Sequence, residues 1–235
     1  MRHLHPITPV ERFVASGVHR HTGAGVVEHW SVHEQLGGAL LIRVDCDYRA
    51  VDGRSLLIEA WGEPDGTIER FGLRAYGGNT DVFKVVRADF AVYADYVEIG
   101  YSADGSARRD TKLALSAPPV ACPVATVFRG LALWQSVRSG GSVSLVTHTS
   151  FSHAQQPFDG AVLPAASSPE GCETDSVIVD GRSVSARRWR WPEVPGFEGD
   201  LWLDARGAVL RHDLPNGTSI SLARYSRRME PISHD

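Results

Sequence analysis

At 235 residues the chain can hold one large or two small domains, and 43% hydrophobic with 22% charged residues is the balance of an ordinary folded protein. A formal net charge of −4 argues against a nucleic-acid binder, which carries a basic footprint, and gives no pull towards an anionic membrane surface. No run of about 18 apolar residues occurs, so no transmembrane helix and no integral membrane association are expected.

The first residues, Met1-Arg2-His3-Leu4-His5-Pro6, lack the apolar run of a signal peptide, and the cytoplasm is the expected location. Residues 26–34 read as a strand ending at Gly37-Gly38. Residues 39–49 alternate cleanly up to Asp52-Gly53. Strands over 55–61 and 67–76 are separated by Pro64-Asp65-Gly66 and followed by Gly77-Gly78-Asn79. Each junction is a short-hairpin signal between β-rich segments. Residues 82–101 continue as strand, with breaks expected near Asp89 and Asp95, before the turn at Asp104-Gly105.

The middle of the chain changes character. Residues 124–139 form the predicted helix, because Val124, Val127, Phe128, Leu131 and Trp134 recur at helical spacing and Gly140-Gly141 stops it. Strand character resumes over 143–151, and 152–174, rich in Pro, Ala, Ser and Gly, reads as a long loop or lid. Strands over 177–179, 184–191, 199–203, 209–214 and 219–225 close the chain, with turns at Asp180-Gly181, Arg206-Gly207 and Asn216-Gly217. The expected fold is mainly β: a curved antiparallel sheet or half-barrel of about ten or more strands, with one helix packed on or in it. It is read as a single domain over 1–235, with mobile ends at 1–10 and 227–235.

Strand period fixes which side chains share a face once the turns are counted. Two-residue loops at Gly37-Gly38, Asp52-Gly53 and Asp65-Gly66 place Glu28, Trp30 and Val32 with Arg43, Asp45, Asp47 and Arg49, with Leu56, Ile58 and Ala60, and with Phe71, Leu73 and Ala75. The other face carries His29, His33, Ile42, Val44, Cys46, Tyr48, Leu57, Glu59, Trp61, Arg70 and Arg74. Mixed faces suit a cup around a ligand better than a half-solvated sheet with one apolar side. Asp45 and Asp47 stand roughly 6.5–7 Å apart along their strand. Flanked by Arg43 and Arg49, they either hold the polar end of a ligand or form a solvated charge ladder.

His148 is the isolated acid–base candidate, since histidine titrates near neutrality. No metal is expected: Cys46, Cys122 and Cys172 are far apart with no CxxC, and His3, His5, His19 and His21 belong to an end read as mobile. No cofactor motif stands out. Only Lys84 and Lys112 are lysines among the 24 basic residues, and the arginines are scattered as a compositional bias would leave them.

Leu41-Ile42-Arg43-Val44-Asp45-Cys46-Asp47-Tyr48-Arg49 resembles the early "apolar strand, Asp, aromatic, Arg" segment of the glycolipid-binding, lipoprotein-carrier-like β-barrel proteins. The stretch from Gly196-Phe197 through Asp200 to Leu210 resembles that family's late hairpin. Pro123 to Leu131, with Arg129, is a loose counterpart of the family's Arg-rich central run, whose Thr-Asn-Thr-Leu-Pro motif is absent. The resemblance implies a long curved sheet around an apolar cavity.

The leading expectation is an internal cavity that binds an apolar or aromatic small molecule, lined by Trp30, Leu56, Ile58 and Phe71, with Arg43, Asp45 and Asp47 at its polar end. The alternative is a cofactor-independent lyase, isomerase or cyclase that uses Asp45, Asp47 and His148 in the same cavity. A third is an interaction domain pairing through a strand edge, and a homodimer is compatible with any of these.

Overall fold

The computed structural model describes residues 11–77, 85–148, 161–165 and 167–228. The first half is a meander: β1 (Arg12–His21), β2 (Val27–Glu34), β3 (Leu40–Tyr48), a single helical turn α1 (Arg49–Asp52), β4 (Arg54–Gly62), β5 (Ile68–Gly77), β6 (Val85–Val92), β7 (Tyr96–Ala103) and β8 (Arg109–Ala114). Then come β9 (Pro119–Ala121), α2 (Thr126–Ser139), β10 (Val143–Val146) and β11 (Val162–Ala165). The last half-sheet is β12 (Glu170–Val179), β13 (Arg182–Arg190), β14 (Asp200–Leu203), β15 (Val209–Asp213) and β16 (Ser219–Arg227).

Thirteen strands form one antiparallel sheet in the order β12-β13-β14-β15-β16-β1-β2-β3-β4-β5-β6-β7-β8, so β16 pairs with β1 and joins the two halves. A three-stranded sheet, β11-β10-β9, lies apart, with β9 and β10 parallel. The large sheet is curved and barrel-like. β12 folds back over β15 and β16, and β9 packs against β5. The helix α2 packs on β9, β10 and β15.

The alternation of the sequence sets the core. Ile42, Val44 and Cys46 of β3, Leu56, Ile58 and Ala60 of β4, and Phe71, Leu73 and Ala75 of β5 all turn to one face and are buried. Burying a large aliphatic or aromatic side chain stabilises by roughly 1.5–3 kcal/mol, so this face holds the sheet to α2 and to the small sheet.

Four expectations are corrected. β1 contains His19 and His21, which were read as part of a mobile end; it pairs with both β2 and β16. The strand over 82–101 does not break at Asp89; the chain turns at 93–95, where Tyr93 N–H donates to Tyr96 O at 2.9 Å. The buried stripe of α2 is Phe128, Ala132 and Leu133, while Trp134 is 41% exposed. Part of the expected 152–174 loop is strand, in β11 and the start of β12. Residues 149–160, the remainder of the strand expected over 143–151 among them, lie outside the described residues, as do 1–10 and 229–235.

Register turns on the hairpin loops. Glu34 pairs with Leu40 around residues 35–39, closed by Gln35 N–H to Ala39 O at 2.8 Å, so Gly37-Gly38 is not a two-residue turn. Tyr48 pairs with Arg54 around α1, whose C-cap Gly53 adopts a left-handed φ of 77°. Each loop displaces the expected register by an odd number of residues, so β3 alone is turned over relative to β2, β4 and β5. At the next hairpin a bulge at Gly62 restores the expected Trp61–Arg70 and Leu56–Ala75 pairings.

Candidate functional site

The turned-over strand separates the residues expected to act together. Trp30, Leu56, Ile58 and Phe71 share the core-facing side, none more than 5% exposed, and Phe71 stacks on Phe90 with ring centroids 4.3 Å apart. These four are packed core. Arg43, Asp45 and Asp47 lie on the opposite, outer face, because Val44 is the partner of both Trp30 and Ile58.

Arg43 there donates to Glu11 Oε2 at 2.7 Å and to Glu59 Oε1 at 3.3 Å. Asp47 accepts from Arg49 Nη2 at 2.6 Å and Nε at 2.9 Å, and these bonds hold its carboxyl down at about 2. His148 is on the core side, edge-on to Phe90 at 6.3 Å; burial, with a contribution from the Arg54 charge, pushes it down to about 4. The structure therefore does not bring His148 together with Asp45 and Asp47. An acid–base partnership needs hydrogen-bond reach.

A cavity of about 650 Å³ opens on the outer face of β4–β8, within the range typical of small-molecule sites. Its floor is a cross-strand row in which Gly72 pairs with Asp89, Asp89 with Gly100 and Gly100 with Asp110. Neither glycine has a left-handed φ. Glycine inside a strand commonly marks close approach of another group, and at Gly100 that group is Arg108. A Cβ there would overlap its guanidinium.

Arg108 lies flat across the floor, donating from Nε to Asp110 Oδ1 at 2.7 Å and from Nη1 to Asp89 Oδ2 at 3.0 Å. Trp61 forms one wall, with the Arg70 guanidinium 4.6 Å from its ring centroid. At the far side Lys112 Nζ sits 3.2 Å over Tyr96 and 3.9 Å from Glu98. Arg70, Arg108 and Lys112 are balanced by Asp89, Glu98 and Asp110, so the lining offers an aromatic face with donors and acceptors but no net charge.

The second unusual cluster is buried. Glu28 is 1% exposed and reaches the N-terminus of α2, where Oε2 accepts Thr126 N–H at 2.8 Å and Oε1 accepts the Thr126 hydroxyl at 3.0 Å. His21 Nε2–H donates to Oε1 at 2.9 Å. Burial pushes this carboxyl up, yet the His21 bond and the cationic surroundings prevail and hold it below its ordinary value.

Two further histidines frame the helix start. His19 Nε2 is 2.8 Å from Val209 O, and His212 Nε2 is 2.9 Å from Glu198 O. A nitrogen facing a carbonyl must carry the proton, so Nδ1 is the lone-pair side of each neutral ring. On His212 that lone pair accepts from Arg129 Nη1 at 2.8 Å. On His19, Nδ1 makes no hydrogen bond and lies 3.9 Å from Glu28 Oε2. Burial lowers both histidines, His212 to about 4.

Sequence reasoning placed Glu28 beside Trp30 and Val32 but drew nothing from it. An acid in an apolar strand row was the available signal. Among the described residues no group of three or more His, Cys, Asp or Glu is arranged to hold a metal ion, and no helix is long and apolar enough to cross a membrane. Cys46 and Cys122 are buried thiols; burial pushes Cys122 up to about 12, and Cys46 is raised by burial beside Glu28.

No family model and no curated protein matches the chain. One similar solved structure is a beta-barrel-like protein of a domain of unknown function, DUF1849, from Brucella abortus. It is 11% identical, with a TM-score of 0.48 over 95% of this chain and 100% of that one.

Proposed function

We propose that the protein binds a small molecule with an aromatic face and polar groups, and that it does so in the groove floored by Gly72 and Gly100. The observation that carries this reading is the pairing of a cavity of about 650 Å³, walled by Trp61, with two floor positions that lack a side chain. A side chain at Gly72 would crowd Asp89, and one at Gly100 would push Arg108 up from the floor into the groove. Trp61 supplies stacking area, and aromatic contacts of this kind contribute roughly 0.5–1.5 kcal/mol beyond area burial.

The polar end of the ligand is matched by position more than by charge. Arg108 is already shared between Asp89 and Asp110, and Lys112 lies near Glu98, so an anion reaches these two cations by displacing carboxylates, whereas Arg70 meets it from its stack on Trp61. A zwitterionic molecule can set its anion against Arg70 and its cation against the lining carboxylates.

Native mass spectrometry of freshly purified protein tests this, comparing wild type with Trp61→Ala and Gly72→Val. A bound adduct in wild type that is lost in both variants supports the groove. An adduct retained in both variants, or no adduct with a panel of aromatic zwitterions added at saturating concentration, overturns it.

A further inference from the structure

The start of α2 is held by two ties, the first of which responds to protons. One is Arg129 to His212, and the other is Thr126 to Glu28, beside His19. The end of α2 is held differently. Arg138 Nη2 donates to Asp65 Oδ2 at 2.8 Å, and Gln135 Nε2 donates to Gly66 O. We propose that α2 is an acid-released plug: protonation of His212 breaks the Arg129 tie and frees the first turns of the helix from the sheet while its last turn stays tethered at residues 65–66.

The argument is one of hydrogen-bond valence. His212 Nε2–H is committed to Glu198 O, so an added proton must go to Nδ1, where it meets the Arg129 N–H at 2.8 Å. Two donors and two positive charges then face each other, and the tie cannot persist. On His19, Nε2–H is committed to Val209 O, so its added proton also goes to Nδ1, which faces Glu28 Oε2. That gives Glu28 Oε2 a second donor beside Thr126 N–H, as Oε1 already has two, so the Glu28 tie survives protonation of His19 and the release rests on His212.

The charged and titratable groups facing the two rings are Glu28, His21 and Arg129 around His19, and Arg129, Glu198 and Asp213 around His212. None of these supplies a second acceptor to His212 Nδ1. At the far end Asp65 is held down at about 2 by Thr67 and Arg138, so its tether keeps its charge when His212 has titrated. Ala125, Val127 and Phe128, all buried at the start of α2, would be uncovered together with the core face of the sheet.

Hydrogen exchange read by mass spectrometry between pH 7 and 4, corrected for intrinsic rates, tests the proposal. Titration of His212 makes release about ten-fold easier per pH unit between 6.5 and about 4. Protection over residues 126–133 should fall by that measure and at a higher pH than protection in β3, β4 and β5, which follows global stability. His212→Asn retains an oxygen for Arg129 and cannot titrate, so its acid loss should shrink by at least about ten-fold at pH 5. If that variant does not fold, Arg129→Gln removes the opposing charge and should weaken the response likewise. Loss of protection in α2 and β3–β5 at one common midpoint overturns the proposal. So does a wild-type acid response in the variant that folds.

Discussion

Glu28 Oε2 accepts the backbone N–H of Thr126 at 2.8 Å across 98 residues of sequence, so a strand carboxylate caps the helix from outside it. The local N-cap residue, Ala125, provides no side-chain cap. An anion at a helix N-terminus is favoured by the unpaired N–H groups and the helix dipole together. Burial makes this one expensive to disturb.

Glu28→Gln should therefore lower stability by about 2–3 kcal/mol, since it removes a buried charge-assisted acceptor and turns an amide donor towards Thr126 or His21. Urea denaturation at pH 7 measures it. A loss below about 0.5 kcal/mol, the usual range for surface changes, would show that the carboxylate does not anchor α2.

Gly130→Ala should destabilise although alanine is the better helix former by about 1 kcal/mol. A Cβ at residue 130 would overlap the carbonyl oxygen of Gly207 and crowd Val209, both at or beside the β14–β15 turn. Overpacking of this sort costs about 1–3 kcal/mol, and backbone cannot swing away as a flexible side chain does. A thermal melt showing a stabilised variant would contradict the close seat of α2 on that turn.

Arg108→Ala should separate binding from stability. Its two ion pairs are solvated, with Arg108, Asp89 and Asp110 side chains 56%, 62% and 69% exposed, and exposed pairs contribute about 0–1 kcal/mol. The denaturation midpoint should barely move, while affinity for any groove ligand changes because the floor over Gly100 is bared. A large stability loss would make Arg108 a structural strut instead.

Stability should fall as pH drops from about 6.5 to 4. His148 and His212 are held near 4 in the folded chain, His148 by burial and Arg54, His212 by burial and Arg129. The unfolded chain takes up these protons first, near the ordinary histidine value. The stabilisation is thus complete above 6.5 and lost on descending towards 4, by about 2–3 kcal/mol for each histidine. Urea midpoints at pH 7 and 4.5 check the sign. A midpoint that rises on acidification would mean these rings are charged in the native state.

Much of this architecture was legible from period and punctuation, and the reasons for the exceptions are specific. β2, β4 and β5 were placed on their correct faces because one misread hairpin cancelled the other. β3 was not, since Gly37-Gly38 sits inside a longer loop and residues 49–52 coil into α1 before Gly53. A parity error of one residue moved Arg43, Asp45 and Asp47 from outside to inside. The groove was invisible for a related reason: Trp61, Gly72, Asp89, Gly100 and Asp110 come from five different strands, and only their pairing aligns them. The Glu28–Thr126 cap is equally non-local, and no sequence spacing announces it.

Amide NMR titration of the labelled protein with aromatic zwitterionic fragments probes the groove directly. Saturable shifts centred on Gly72, Gly100 and the Trp61 indole, with dissociation constants at or below about 1 mM, are the expected result. Shifts confined to core-facing positions such as Leu73 and Ala88, or none that saturate, would contradict a ligand site on the outer face.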